Sequence, residues 1–187
     1  ELENNDGYVE MLPDRVMLWA PGESSIAMDD DFHVNRNQPY RVAMVGFETS
    51  ASAGNGDCAG AAAMVASSNA EAGMGPLAYD VAIEATGGLM SDRTEVSPDA
   101  AAVWDYYANN RPDVQVDQLD ILKDYEEEQL TPDDKSDDCD QVPAYDRLKS
   151  NWHTSSLSKK ISKRGTPVID ELKARGMLYD DREDHIL

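Results

Sequence analysis

GAAAMVASSNAEAGMGPLAYDVAIEATGGLMSDRTEVSPDAAAVWDYYANN, running from Gly60 to Asn110, is the stretch that decides how this chain is read. Its apolar run from Gly60 to Ser68 predicts a strand, Glu71 to Gly75 a glycine turn and Pro76 to Ala85 a helix. Leu89 to Ser91 then predicts a short strand and Ser97 to Asn109 a second helix, which gives a βαβα order. Gly73 and Gly75 flank Met74, so two positions without a Cβ fall where the strand hands over to the helix. Pro76 suits a first helical position, where its missing N–H removes no intrahelical bond.

The first helix places Leu77, Ala78, Val81, Ala82 and Ala85 on one side and Asp80 and Glu84 on the other, and Gly87-Gly88 stops it. A helix start opened by glycines leaves backbone N–H groups pointing outward at the positive end of the dipole, the arrangement that receives phosphate. A plain strand-to-helix turn explains the same residues. In the second helix Ser97 is the expected N-cap, Pro98 follows it and Asp99 faces the positive helix end. Ala100, Val103, Trp104 and Tyr107 recur at helical spacing and predict an inward face with two large aromatics.

The residues from Ala63 to Gly75 resemble the fourth strand and pyrophosphate loop of the GNAT N-acyltransferases, whose loop reads Gln/Arg-x-x-Gly-x-Gly/Ala. Val65 falls where that family has the strand residue whose backbone meets the pantetheine arm, and Gly73 and Gly75 fall on the loop glycines. Leu89-Met90-Ser91 resembles the fifth strand, and Ser97, Ala100 and Trp104 resemble the family's Asn/Ser-x-x-Ala-x-x-x-Tyr helix. A further likeness is to GNAT-like proteins of tailed bacteriophages. The departures are specific. The loop's Gln/Arg falls on Ala70 and the helix tyrosine on Trp104, which leaves Tyr107, one turn later on the same face, as the substitute, while Tyr106 points elsewhere. The pair of helices that the family carries between its first two strands has little room here.

Composition bounds the partners. The chain has 187 residues, enough for one domain with a sound core, and a formal net charge of −21. That charge argues against a nucleic-acid or anionic-membrane surface, which calls for clustered Lys and Arg. It suits a basic partner, such as a small-molecule amine or a lysine-bearing protein, and equally an adaptation to high salt. No apolar run approaches the length that spans a bilayer and no signal-peptide pattern is present, so a cytoplasmic protein is expected, in the host cytoplasm if viral. Cys58 and Cys139 lie far apart without C-x-x-C spacing; reduced thiols are the expectation, with one disulfide as the alternative.

Elsewhere, residues 1 to 14 are polar and turn-rich, Arg15 to Ala20 and Tyr40 to Glu48 predict strands, and Asn55-Gly56 predicts a hairpin turn between the second of these and the Gly60 strand. Asp29-Asp30-Asp31 with His33 reads as a solvated loop before a metal site, because nothing in the spacing makes those ligands converge. Val114 to Leu122 predicts one strand. Asp124 to Asp140 is an acidic loop in which Lys135 is the only basic residue, and it lacks the central glycine and final glutamate of an EF-hand. No metal ligand set is assigned. Lys159-Lys160-Ile161-Ser162-Lys163-Arg164 is the only basic cluster; it could meet a coenzyme A 3′-phosphate, a nucleic acid or the chain's own acids, the last being preferred. Pro167 to Arg175 predicts a helix ended by Gly176 and docked through Val168 and Leu172, with Ile169 as a third candidate, and the acidic tail after Tyr179 is expected to fray.

The expected fold is α+β, layered in the α/β manner: a single GNAT-like domain over residues 1–187, with a mixed, mostly antiparallel sheet and helices on both faces. Gly60–Asn110 forms its cofactor-binding core. The resemblance implies an acetyl-CoA-dependent N-acetyltransferase in which a basic amine attacks directly in a ternary complex. Met64, Val65, Ala66, Gly73, Met74, Gly75 and Pro76 are the implied acetyl-CoA-binding residues and Tyr107 the implied general acid, with Asp92 and Glu48 as candidate bases. The alternatives are a GNAT-like binding or structural viral protein without turnover, and an α+β domain whose Gly-x-Gly is coincidental.

Overall fold

A computed structural model of the chain describes residues 7–21, 39–48, 63–122, 130–131, 133, 137–140 and 152–182. In chain order the elements are β1 (Tyr8–Leu12), β2 (Arg15–Ala20), β3 (Tyr40–Glu48), β4 (Ala63–Ala70), α1 (Gly75–Thr86), β5 (Leu89–Met90), α2 (Pro98–Asn110), β6 (Gln115–Gln118), β7 (Asp120–Leu122), β8 (Asp138–Asp140), β9 (Lys159–Ser162), α3 (Pro167–Ala174) and β10 (Leu178–Asp180). This is a mixed α/β fold with an eight-stranded, mostly antiparallel sheet, a second sheet of two strands, and three α-helices among the described residues. None of those helices is long and apolar enough to cross a membrane. The Asp29–His33 segment, the Asn55-Gly56 turn and most of the acidic 124–140 stretch lie outside the described residues.

The chain divides into two compact units, one holding the residues up to Gly46, Ser67–Ala82 and those from Pro167 onward, the other Phe47–Ala66 and Ile83–Thr166. In the first unit β1 and β2 form an antiparallel hairpin, Tyr8 opposite Trp19 and Leu12 opposite Arg15. β2 pairs antiparallel with β3, and β10 lies parallel to β1 on the opposite edge, Val9 opposite Leu178. Alternation sets the buried face: Val9, Met11, Val16 and Leu18 are all fully buried. Within the stretch read as polar and turn-rich, Tyr8–Leu12 forms a strand, with Val9 and Met11 at alternate positions supplying its buried face. β10 carries the chain past Tyr179 in the sheet, Asp181 N donating to Met11 O at 3.0 Å, so the fraying expected after Tyr179 does not begin there; the tail beyond residue 182 lies outside the described residues. α3 ends where expected: Gly176 has φ +67° and its N–H donates to Lys173 O at 3.0 Å. Its buried residues are Ile169 and Leu172, so Ile169 takes the place expected of Val168.

In the second unit β4 lies parallel to β5 over two positions, Ala63 opposite Leu89 and Met64 opposite Met90. β5 is antiparallel to β9, and β9 to β6. The strand expected over Val114 to Leu122 is broken at Leu119, which is 1% exposed: its N–H donates to Ser158 O at 3.0 Å and its carbonyl accepts from Trp152 Nε1 at 2.8 Å. Beyond that break β7 leaves for a separate parallel pair with β8, Asp120 opposite Asp138. Cys139, fully buried in β8, is held in a disulfide, which overturns the expectation of reduced thiols; sequence separation carries no information on whether two Cα atoms approach. Cys58 lies outside the described residues.

Candidate functional site

In the first unit the end of β4, the glycine turn and the start of α1 form one local construction. Ser67, Ser68, Asn69 and Ala70 are all exposed, although they belong to a strand. Glu71 N donates to Val42 O at 2.8 Å, which pins the turn to β3, and Met74 N donates to Glu71 O at 3.0 Å, which closes it. Gly73 has φ +88°, a left-handed conformation that a side chain strains, and nothing lies within 4 Å of where its Cβ would be. Gly75 is different: its φ is not positive, and a Cβ there would meet the Ala70 Cβ at an ordinary 3.6 Å. Pro76 is exposed in the first turn.

The turn consumes the backbone amide of Met74, one of the implied acetyl-CoA-binding residues. Met74 N–H is directed at Glu71 O, so it is not a free anion donor. The amides of Gly75 and Leu77 lie in the first helical turn, where no acceptor exists inside the helix, and these are the donors the turn offers. Tyr79, on the next turn, is 4% exposed, and its hydroxyl donates to Ser68 Oγ at 2.9 Å. Burial raises the Tyr79 phenol above its ordinary value, opposed by the bond to Ser68.

In the second unit Met64 and Val65 are buried and Ala66 is exposed. Ser97 caps α2 as expected, its Oγ accepting from Ala100 N at 3.2 Å. Trp104 and Tyr107 are each 2% exposed, whereas Tyr106 is 44% exposed, which is the division the helical spacing predicts. The Arg111 guanidinium carbon lies 5.0 Å from the centroid of the Tyr107 ring. Arg111 is in turn bonded to Asp113 through Nε at 2.7 Å and Nη2 at 2.6 Å. Chiefly through that hydrogen bonding, Asp113 is lowered from 3.8 to about 2.

Of the two candidate bases, Glu48 is exposed at the end of β3. Asp92 turns inward on its own loop, its Oδ1 accepting from Thr94 N and Thr94 Oγ1, both at 2.6 Å, and from Glu95 N at 3.3 Å. Beside it is a buried polar group that the sequence reading missed. Arg93, 3% exposed, donates through Nε to Ser91 O at 3.0 Å and through Nη2 to Leu157 O at 2.7 Å and to Ser91 Oγ. An arginine in a polar loop carries no sequence signal of burial; the burial follows from two carbonyls that its fork reaches.

Two charged groupings complete the unit. In the basic cluster, Lys163 pairs with Glu84 at 3.2 Å and approaches Asp113 at 3.8 Å, so the preferred reading, pairing with the chain's own acids, holds for Lys163. Lys159 donates to Gln118 Oε1 and to His153 O at 2.7 Å, and burial lowers its ammonium from the ordinary value. The acids Asp120, Asp137 and Asp138 each bring a carboxylate oxygen to within 4.8 Å of the others. Asp120, fully buried, spends its oxygens on Leu130 N at 2.9 Å and on Thr131 N and Oγ1, both at 3.3 Å.

Against known proteins, the chain matches no family model, no curated protein and no solved structure.

Proposed function

We propose that the chain is an acyl-CoA-dependent N-acyltransferase, with acetyl-CoA as donor and a basic amine as acceptor. The observation that carries this reading is the behaviour of β4. Its parallel pairing with β5 stops at Met64, Val65 is still buried, and the side chains from Ala66 to Ala70 are exposed before the chain enters a glycine turn and a helix. An exposed strand end followed by first-turn amides suits an extended ligand that carries a phosphate. Nothing stands within 4 Å of a Cβ at Gly73, so backbone is accessible there. Taken unit by unit, the residues fit the donor in kind: Met64, Val65 and Ala66 in the second unit are of the type that lines a pantetheine arm, and Gly73, Gly75 and Pro76 in the first, with the amides of Gly75 and Leu77, are of the type that flanks a diphosphate. Met74 would contribute through its half-buried side chain instead of its amide.

In this mechanism the amine lone pair attacks the thioester carbonyl carbon, the C–S bond breaks, and the leaving thiolate takes a proton. Tyr107 would give that proton. The amine's own proton would pass to water or to the exposed carboxylate of Glu48, since the Asp92 Oδ1 is engaged by three donors. The protein supplies proximity and orientation and forms no covalent intermediate.

A second reading has its own support. Ala70 and Trp104 stand where the resemblance expects functional side chains, and Tyr107 is 2% exposed under Arg111. A protein that keeps the binding scaffold without turnover, as a viral binding or structural component, accounts for these three features. Titration with acetyl-CoA in a calorimeter at low and at high salt tests both readings. Saturable one-site binding followed by turnover of a polyamine or a lysine peptide supports the enzyme. Binding without turnover of any amine supports the scaffold, and no binding at either salt removes both.

A further inference from the structure

The strands of the first unit carry aromatic rings on the face opposite their buried one. Val9, Met11, Val16 and Leu18 take the buried side, so Tyr8 and Glu10 project from the other side of β1, with Trp19 opposite Tyr8 on β2 and Tyr179 opposite Glu10 on β10. The Tyr8 and Trp19 rings lie 6.0 Å apart between centroids and 18° from parallel, whereas the Tyr179 ring stands at 76° to Tyr8 with 4.9 Å between centroids. Tyr8, Glu10 and Trp19 are half-buried, and Tyr179 is 56% exposed.

One carboxylate stands among these rings. Trp19 Nε1 donates to Glu10 Oε2 at 2.9 Å, and among the described residues no other donor and no cation reaches that carboxylate. Arg41, opposite Trp19 on β3, is directed at Met44 Sδ at 3.6 Å, and Arg182, just past β10, is bonded to Asp180 at 2.7 Å. Desolvation, with the Glu10 charge as the next cause, holds the Tyr8 phenol above its ordinary value. A half-buried carboxylate with an open oxygen and no counter-charge calls for a cation, and aromatic rings around it favour one that is flat and weakly hydrated. Guanidinium has both properties, since it stacks on a ring while its N–H edge meets a carboxylate; an ammonium is a compact, strongly hydrated charge. β10 also ends the strand order of the sheet, so among the described residues the backbone beside Tyr179 is open to an extended polypeptide.

We propose that Tyr8, Glu10, Trp19 and Tyr179 form a docking site for an arginine side chain of a partner polypeptide. The guanidinium packs against the rings and donates to Glu10 Oε1, and the net charge of −21 draws the basic segment in. The inference does not depend on the acyl-CoA reading, which uses none of these four residues. Its test is an NMR titration of the isotope-labelled full chain with an acetylated and amidated pentapeptide, Thr-Val-Arg-Val-Thr, and with counterparts carrying lysine or the neutral isostere citrulline at the centre. Trp104 and Trp152 are 2% and 4% exposed, so Trp19 is the one tryptophan that is not buried, and its indole N–H signal is the reporter. The arginine peptide is expected to shift that signal saturably, the lysine peptide to bind at least about fivefold more weakly and the citrulline peptide to cause no shift. Glu10→Gln keeps an acceptor for Trp19 Nε1 but removes the charge, and is expected to weaken the arginine peptide about tenfold. Tyr179→Ala, which deletes an exposed ring, is expected to weaken it about fivefold. Glu171→Gln on α3 removes the same charge from another exposed position and is expected to stay within about twofold.

Equal weakening by Glu10→Gln and Glu171→Gln would mean that net charge and not this site holds the peptide, and would overturn the proposal. Equal binding of the citrulline peptide overturns the requirement for a cation, and equal binding of the lysine peptide overturns the choice of guanidinium. A Trp19 signal that moves with none of the peptides overturns the site outright and leaves the acyl-CoA reading untouched.

Discussion

Lys163 Nζ lies 3.2 Å from Glu84 Oε1, and both side chains are shut away from water, at 3% and 0% exposure. An ion pair in that position gains from low local dielectric and has already lost its hydration, so removing one partner takes the closest opposite charge from the other. Asp113, half exposed and 3.8 Å away, is a poor replacement. Glu84→Gln is therefore expected to lose about 3 kcal/mol of stability. The exposed pair Arg175–Glu171, spaced i,i+4 on α3, is the control: Glu171→Gln is expected to lose less than about 0.5 kcal/mol. Urea denaturation of the two variants decides the point, and similar losses would mean that the buried pair contributes no more than a surface one.

The glycine turn makes a second prediction because its two glycines are held for different reasons. At φ +88° Gly73 is constrained by backbone conformation and not by neighbours, so even a small side chain costs about 1–2 kcal/mol. Gly73→Val is expected to lose at least that much stability and to abolish acetyl-CoA binding. Gly75→Ala places a methyl at ordinary contact distance from Ala70 and is expected to stay within about 0.5 kcal/mol of the wild-type chain. Tight acetyl-CoA binding by Gly73→Val would remove the loop from the proposed site.

These local features were legible in advance because their chemistry is carried by neighbours in sequence. Ser97-Pro98 opens α2, Gly176 closes α3, and the strands Arg15–Ala20 and Tyr40–Glu48 fall where their composition puts them. Partnership over long separations was not legible. Lys159–Ser162 reads as a basic cluster, yet it is a strand between β5 and β6, held by a single fully buried apolar residue, Ile161. The break at Leu119 depends on Trp152 and Ser158, more than thirty residues on, and no pattern within Val114–Leu122 announces it. In the candidate site the same division applies: the glycines and the buried face of α2 are periodic signals, whereas the engaged Met74 amide and the Tyr79–Ser68 bond are products of how the chain returns on itself.

Asp113 gives a prediction about acid. Arg111 holds its carboxyl at about 2, below the ordinary 3.8. A carboxyl with a depressed folded value contributes stability that is fully present above its unfolded value and is lost as pH falls through the folded one. Its contribution should therefore be complete near neutrality and fade between about pH 4 and about pH 2. Because half of the side chain is exposed, the contribution is small. Asp113→Asn should be slightly less stable than the wild-type chain at pH 6, with the gap narrowing as the pH is lowered toward 2.5. Thermal melts across that range check it, and a gap that widens toward acid would show that Arg111 does not hold the carboxylate.

Tyr107 separates the two functional readings. If it protonates the departing thiolate, Tyr107→Phe removes the proton but keeps the ring that fills its buried place under Arg111. General acid catalysis contributes about a hundredfold or more, so turnover of a polyamine or lysine peptide should fall by about that factor. Acetyl-CoA affinity should stay within about twofold, because an interaction made only in the transition state lowers turnover without changing ground-state binding. Steady-state kinetics beside calorimetry on the same preparation measure both quantities. Unchanged turnover would strip Tyr107 of the acid role and leave the proton to water. A fall in affinity matching the fall in turnover would mean that the hydroxyl supports the architecture of α2, as the scaffold reading requires of a side chain at 2% exposure.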